Sequence, residues 1–342
     1  MRHLVLTLVL SASLSYGQGV PPGNPKLSLP GKIEVPPAPI RPKVLEATSS
    51  RVVSAPDFGG YGTPVCDNDG NAYYHVGTSA SYNDSTVFRL AADEDRHQVF
   101  KLPPDVNDSV AFGAFNVTPS GKLWTAVFNQ KGEVFAYGFD AEGEVSGHVH
   151  FNAPEYLQPD LFAAFETDFF LLEGFFAKSA GSAVAGRTYA AIFGPSGKLV
   201  RELTLNQPVV NMETRRKSLP EGAVAIGSDG NAYLLLADQV VAISQSGEVV
   251  QRLQFEKPDR DARAVSLYAS GGLLAIVLFK TRHTAIDTTL LVLDTNTGGT
   301  YGYYEPSEGL GNNPICFSRS QGFTFLRRDR DGKIKLQTAA LR

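Results

Sequence analysis

The sequence is short of several things, and each shortage removes a class of function. It has no basic excess: 31 Lys and Arg stand against 35 Asp and Glu, for a net charge of −4. No basic field exists to hold a nucleic-acid backbone, so that partner is not expected. Beyond the N-terminus no apolar run is long enough to span a bilayer. No Gly-x-Ser-x-Gly elbow is present. Asp67-Asn-Asp-Gly opens like a calcium loop, but Val76 stands where the closing Glu belongs. A tight turn is the better reading of that stretch.

The N-terminus reads as a processing signal. Met1-Arg-His is a short basic start, and Leu4 to Leu14 is an apolar core. Ser15-Tyr-Gly then offers small residues for cleavage before Gln18, so residues 1–17 are expected to be a secretory signal peptide. No Cys follows the apolar core, and a lipoprotein anchor is therefore not indicated. The expected location is secreted or periplasmic. Residues 18–42 hold Pro21, Pro22, Pro25, Pro30, Pro36, Pro37, Pro39 and Pro42. That density blocks helix and central strand, and predicts an extended linker or strap.

From residue 43 onward the chain is rich in what many short strands need. It has 33 Gly, 21 Pro, 21 Phe and 13 Tyr, which suit tight turns and β-structure. One unit recurs. Thr63-Pro-Val-Cys-Asp-Asn-Asp-Gly-Asn-Ala-Tyr-Tyr is echoed by Ala223-Val-Ala-Ile-Gly-Ser-Asp-Gly-Asn-Ala-Tyr. Looser copies start at Phe115, Leu161, Val265 and Ile315, and the copy at Leu161 is degenerate. Each reads as strand, turn, strand, with Asp-Gly, Ser-Gly or Gly-Gly supplying the positive φ of the turn. Each is followed by two more strand candidates, such as Glu133-Val-Phe-Ala-Tyr with Gly147-His-Val-His-Phe. Four strands per unit and six units predict an all-β fold, a six-bladed β-propeller over residues 43–342. The last unit lacks a fourth strand before Arg342. An open edge invites aggregation, so Lys43 to Val53 is expected to return and close the ring.

The pattern Pro64-Val-Cys-Asp-Asn-Asp-Gly-Asn-Ala-Tyr resembles a blade of the NHL-repeat and gluconolactonase-like six-bladed propellers. The resemblance covers residues 56–342 as a fold pattern. It implies, for lactonase-type members, a divalent metal such as Ca2+ in the central channel, held by Glu, Asn and Asp from different blades. The family's Glu falls about eight residues before the turn Gly. Gly62 occupies that place here, and Arg263 stands at the comparable place of the fifth unit. Glu221 and Asn313 fall near usable positions and are the metal-ligand candidates.

The loops at the channel mouth are where function is expected, since loops on a rigid scaffold carry it. Arg215, Arg216, Arg263, Arg282 and His283 form a candidate cationic rim for an acidic sugar or phosphate. The bland alternative is a set of solvated charges paired with Asp259, Asp261 and Glu221. His148-Val-His150 places two imidazoles on one strand face without an evident third zinc ligand. Cys66 and Cys316 occupy matching places in units one and six, which a closed ring makes neighbours. A disulfide stapling the ring and two small buried thiols are both open. Asn83, Asn107 and Asn116 are formal glycosylation acceptors. Two functions follow from these residues. One is an exported, non-enzymatic scaffold that binds a protein or small ligand without a cofactor. The other is a metal-dependent lactonase or hydrolase.

Overall fold

The repeat read from the sequence recurs six times in space. The computed structural model describes residues 40–56, 63–75, 86–181, 183–205, 223–236, 238–282 and 285–342. The strands are β1 (Lys43–Leu45) and β2 (Ser49–Val53), then four in each of blades 1 to 5 and three in blade 6. Blade 1 holds β3 (Val65–Cys66), β4 (Ala72–His75), β5 (Val87–Leu90) and β6 (His97–Phe100). A four-residue helix, α1 (Pro104–Asn107), leads to blade 2. That blade holds β7 (Val110–Val117), β8 (Leu123–Asn129), β9 (Val134–Phe139) and β10 (Val145–His150). Blade 3 holds β11 (Leu157–Ala164), β12 (Phe170–Phe176), β13 (Thr188–Phe193) and β14 (Leu199–Glu202). Blade 4 holds β15 (Ala223–Ile226), β16 (Ala232–Leu236), β17 (Gln239–Ile243) and β18 (Val249–Gln254). Blade 5 holds β19 (Arg263–Ser270), β20 (Leu273–Arg282), β21 (Ala285–Asp294) and β22 (Thr300–Pro306). Blade 6 holds β23 (Pro314–Ser318), β24 (Gly322–Arg328) and β25 (Ile334–Ala339).

Within each blade the strands pair antiparallel in chain order. The first strand of each blade touches the first strand of the next, and β23 touches β3, so the ring is closed. Closure uses both halves of the returning segment. β2 pairs antiparallel with β25 as the outer strand of blade 6. β1 adds a fifth strand to blade 5, parallel to β22. The segment therefore straddles two blades rather than one. Arg51 ties it to blade 1 as well, donating to the carbonyls of Ala91 (3.1 Å) and Ala92 (2.8 Å).

Six apolar clusters fill the gaps between successive blades. Middle strands are thus covered on both faces, which is why they read as continuous apolar runs. β12 is buried from Phe170 to Phe175. The outer strand β10 alternates half-buried and exposed residues along its length. The hairpin turns carry positive φ, from 55° at Gly271 to 92° at Gly121. In the degenerate third copy Asp168 takes that role with φ 56°. Its carboxylate pairs with Lys122 at 2.7 Å, and the same ammonium lies over the Trp124 ring.

Candidate functional site: the channel between the inner strands

Four inner strands carry a β-bulge at the same point of the hairpin. The register slips between Phe112 and Ala114, Pro159 and Leu161, Ala264 and Ser266, and Pro314 and Cys316. The extra residues are Gly113, Asp160, Val265 and Ile315. A bulge breaks the pleat and re-aims the side chain of the extra residue. Three of these residues carry no charge; Asp160 does.

Asp160 lines a cavity on the ring axis between blades 1 and 4. Its wall is Thr63, Val65, Phe112 to Asn116, Asp160 to Phe162, Ala223 and Val224. The space for water-sized occupants is about 100 Å³. Among the described residues of this wall Asp160 is the one carboxylate. Asn116 contributes an amide that is 1% exposed, and its Oδ1 has no hydrogen-bond partner among the described residues. An orphaned buried acceptor is unfavourable by about 1–3 kcal/mol, and native structures keep few of them.

The approach to Asp160 is held by backbone contacts that only glycine permits. Tyr156 adopts φ 61°, a left-handed conformation that aromatic residues rarely take. Gly132 packs so closely on Tyr156 that a Cβ would overlap its backbone. A Cβ on Gly174 would overlap the carbonyl of Gln158, and one on Gly113 would come within 2.8 Å of Pro159 Cβ. Three elements thus close on residues 156–159 and fix where Asp160 emerges.

The opposite end of the ring is tied turn to turn. The Asn68 amide donates to the Pro119 carbonyl (3.1 Å), Ser120 to Glu166 (3.2 Å), and Arg319 to Ser270 Oγ (3.1 Å). Cys66 and Cys316 are joined as a disulfide between blades 1 and 6, with Cα atoms 5.5 Å apart. The Asp67 loop is a closed turn. Its carboxylate accepts from the Asp69 and Asn71 amides (both 3.0 Å), Asn71 Nδ2 (2.8 Å) and Tyr73 OH (3.2 Å).

The residues singled out in the sequence are placed as follows. Arg215, Arg216, Glu221 and His283 lie outside the described residues. Arg263 is exposed at the start of β19, and Arg282 ends β20. Asn313 is half-buried just ahead of β23. Neither Arg263 nor Asn313 is on the wall of the cavity described above. Asp259 accepts from Lys280 and from the Asp261 amide (2.9 Å), so one acid weighed as a partner for the cationic rim is bonded to a lysine outside that rim. His148 and His150 are exposed on β10 and stack on Tyr137 and Phe135. Among the described residues no three His, Cys, Asp or Glu side chains come together. Asn116, a formal glycosylation acceptor, is too buried to serve as one in the fold.

Sequence reasoning missed Asp160 and Asn116. A signal for Asp160 existed: it stands about eight residues before the turn residue Asp168, the place where the resemblance asks for an acid. The implied calcium ion needs six or more oxygens. The described wall offers the Asp160 carboxylate, the Asn116 amide and the Thr63 hydroxyl, fewer side-chain oxygens than the ion needs, and that set does not fit it.

The fold and channel define a six-bladed β-propeller. No family model and no curated protein matches the chain. Solved structures do. Regucalcin, a calcium-binding protein from Agrobacterium tumefaciens, is 14% identical, with 88% of this chain and 97% of that one covered and a TM-score of 0.49. A luciferin-regenerating enzyme is 9% identical, covering 82% and 92% with a TM-score of 0.48. A PQQ-bound aldose sugar dehydrogenase from Streptomyces coelicolor is 8% identical, covering 89% and 99% with a TM-score of 0.47.

Proposed function

We propose that this chain is an exported ligand-binding propeller that receives a small molecule at its channel mouth. The cavity carries the reading. It sits between the inner strands of four blades and, among the described residues, combines apolar walls with the Asp160 carboxylate, the Thr63 hydroxyl and the orphaned Asn116 amide oxygen. Small-molecule sites share that make-up: mostly apolar, with a few placed polar groups. Export is supported by the basic-then-apolar start at residues 1–17 and by the Cys66–Cys316 bond, which suits an oxidising compartment.

The test is a thermal-shift screen of amines, carboxylates, neutral sugars and lactones, with lactone turnover followed with and without calcium. At least one class should raise the melting temperature. Ala114→Phe, which fills the cavity from its wall, should abolish that shift. A shift that persists in Ala114→Phe would move the site elsewhere. Calcium-dependent lactone turnover would replace the binding reading with the hydrolase.

A further inference from the structure

We infer that two clefts between neighbouring blades, at the turn-tied end of the ring, bind neutral saccharide units. These clefts are separate from the channel cavity and do not depend on its reading. One lies between blades 1 and 2, with space for water-sized occupants of about 410 Å³. The other lies between blades 4 and 5 and offers about 360 Å³. Both fall in the range of small-molecule sites, roughly 300–1,000 Å³. They are built alike, on the two blades that share the Asp-Gly-Asn-Ala-Tyr run. Tyr73 bonded to Asp67 lines the first, and Tyr233 bonded to Asp229 lines the second. Gln98 of β6 reaches across to the Ala141 carbonyl of blade 2 (2.5 Å), and Gln251 of β18 reaches to the Thr295 carbonyl of blade 5 (2.9 Å). The inner hairpin turn of the facing blade adds a glycine to each wall, Gly121 and Gly272. A layout that recurs with the motif is set by the repeat.

The walls favour a ligand that both donates and accepts without net charge. In the first cleft Asp67, Asp69 and Asp140 stand beside Arg89 and Lys122. An anion would face three carboxylates there, and a cation would face a guanidinium and an ammonium. Asp67 already accepts from four donors, and Lys122 pairs with Asp168. Arg89 donates to Gln98 (3.2 Å) and lies beside the Tyr73 hydroxyl, and no carboxylate among the described residues pairs with it. Asp140 Oδ1 accepts from the Glu142 and Glu144 amides (3.1 and 2.9 Å), while Oδ2 and the exposed Asp69 carboxylate accept nothing among the described residues. The first cleft thus keeps donors and acceptors together. The second has one charged group among its described residues, Asp229, which already accepts from Asn231 and Tyr233. Hydroxyls and amides make up the rest of its polar wall, from Ser228, Gln251, Ser270, Thr295 and Asn296. A hydroxyl donates and accepts at once. A sugar ring presents several in a fixed arrangement, so little freedom is lost on binding. Arg89 stands opposite Tyr73, where blade 4 has Ala242 opposite Tyr233, so the first cleft should bind more tightly.

The probes are maltose, lactose and xylobiose, with sulfate and spermidine as charged controls, each titrated into the isotope-labelled full chain at neutral pH and read from amide resonances. At least one disaccharide should move two separate groups of resonances, among them the side-chain amides of Gln98 and Gln251. Sulfate and spermidine should bind at least about tenfold more weakly at both. Ser146 and Ser228 are exposed positions on the two walls. Ser146→Trp should erase the first group of shifts and Ser228→Trp the second. Arg89→Ala should weaken the first group alone, by about tenfold. Ala114→Phe, which fills the channel cavity, should leave both groups as they are. The five probes on the unaltered chain give their answer even if a variant fails to fold. No response to any of the three sugars, a preference for sulfate or spermidine, a response from one cleft only, or shifts that survive both tryptophan variants would each overturn the inference. Sugar shifts lost in Ala114→Phe but kept in the tryptophan variants would also overturn it, and would assign the sugar to the channel. A channel ligand detected in the doubly substituted Ser146→Trp, Ser228→Trp protein reports on the channel alone, so either site can fail without the other.

Discussion

Glu173 offers a measurement that the packing of this fold should control. It sits in the middle of β12, opposite Leu161 on β11 and Ala190 on β13. Both neighbours belong to the apolar cluster between blades 3 and 4. The side chain is buried, and Oε2 has no hydrogen-bond partner among the described residues. Burial pushes its pKa up to about 8. The folded protein therefore holds the proton at neutral pH, while the unfolded chain, titrating near 4.3, releases it. The folded state binds more protons, so this group's contribution falls as pH rises through the window from about 4 to about 8. One pKa unit is worth about 1.4 kcal/mol, so the loss by pH 7 is about 3 kcal/mol. Glu173→Gln removes the titration and keeps the shape. The variant should match the wild type within about 1 kcal/mol at pH 4.5, and exceed it by about 2–3 kcal/mol at pH 7. Urea unfolding read from the single tryptophan, buried Trp124 of blade 2, measures both. Parallel pH profiles for the two proteins between pH 5 and 8 would refute the reasoning. So would a variant less stable than wild type at pH 8.

The remaining predictions follow from the ring and its contacts. Reducing the Cys66–Cys316 bond should lower stability by about 2–5 kcal/mol, since it closes a long loop. A Cys66→Ser, Cys316→Ser protein should start at that lower value and show no response to dithiothreitol in thermal melts. Gly132→Ala should lose about 1–3 kcal/mol, because its φ of 77° and the approach of Tyr156 leave no place for a methyl group. Gly147→Ala, where nothing lies within 4 Å of the added carbon, should fall within about 0.5 kcal/mol of wild type, and urea midpoints compare the two. Deleting residues up to Val53 strips the outer strand from β25. The exposed edge should then make the protein associate in light scattering, while the full chain stays dispersed.

The sequence carried the fold further than it carried the site, and the reason is physical. A blade is built from turns and apolar strands, and those leave marks that repeat: Asp-Gly-Asn-Ala-Tyr at residues 69–73 and again at 229–233. Even so, equal sequence did not mean equal bonding. In blade 1 Tyr73 donates to Asp67, whereas in blade 4, with Gly227 in that place, Tyr233 donates to Asp229 at 2.7 Å. The channel wall leaves no such mark. A bulge residue is set by how one strand slips against its neighbour, and no local motif announces the slip. Asp160 sits in the third copy, whose turn glycine is replaced by Asp168, so its register against the other copies was hard to read. Asn116 lies in an apolar strand and looks like a sequence acceptor for sugar until its burial is known. The charged loops drew attention because charge is visible in a sequence. Yet Asp259 and Lys280 show such charges bonding to each other, while the strand that carries Asp160 to the described cavity wall is fixed by three glycines that carry no chemistry of their own. In this fold the points where side chains are forbidden are the points at which backbones have been brought close, and those contacts set where the bulge residue Asp160 emerges.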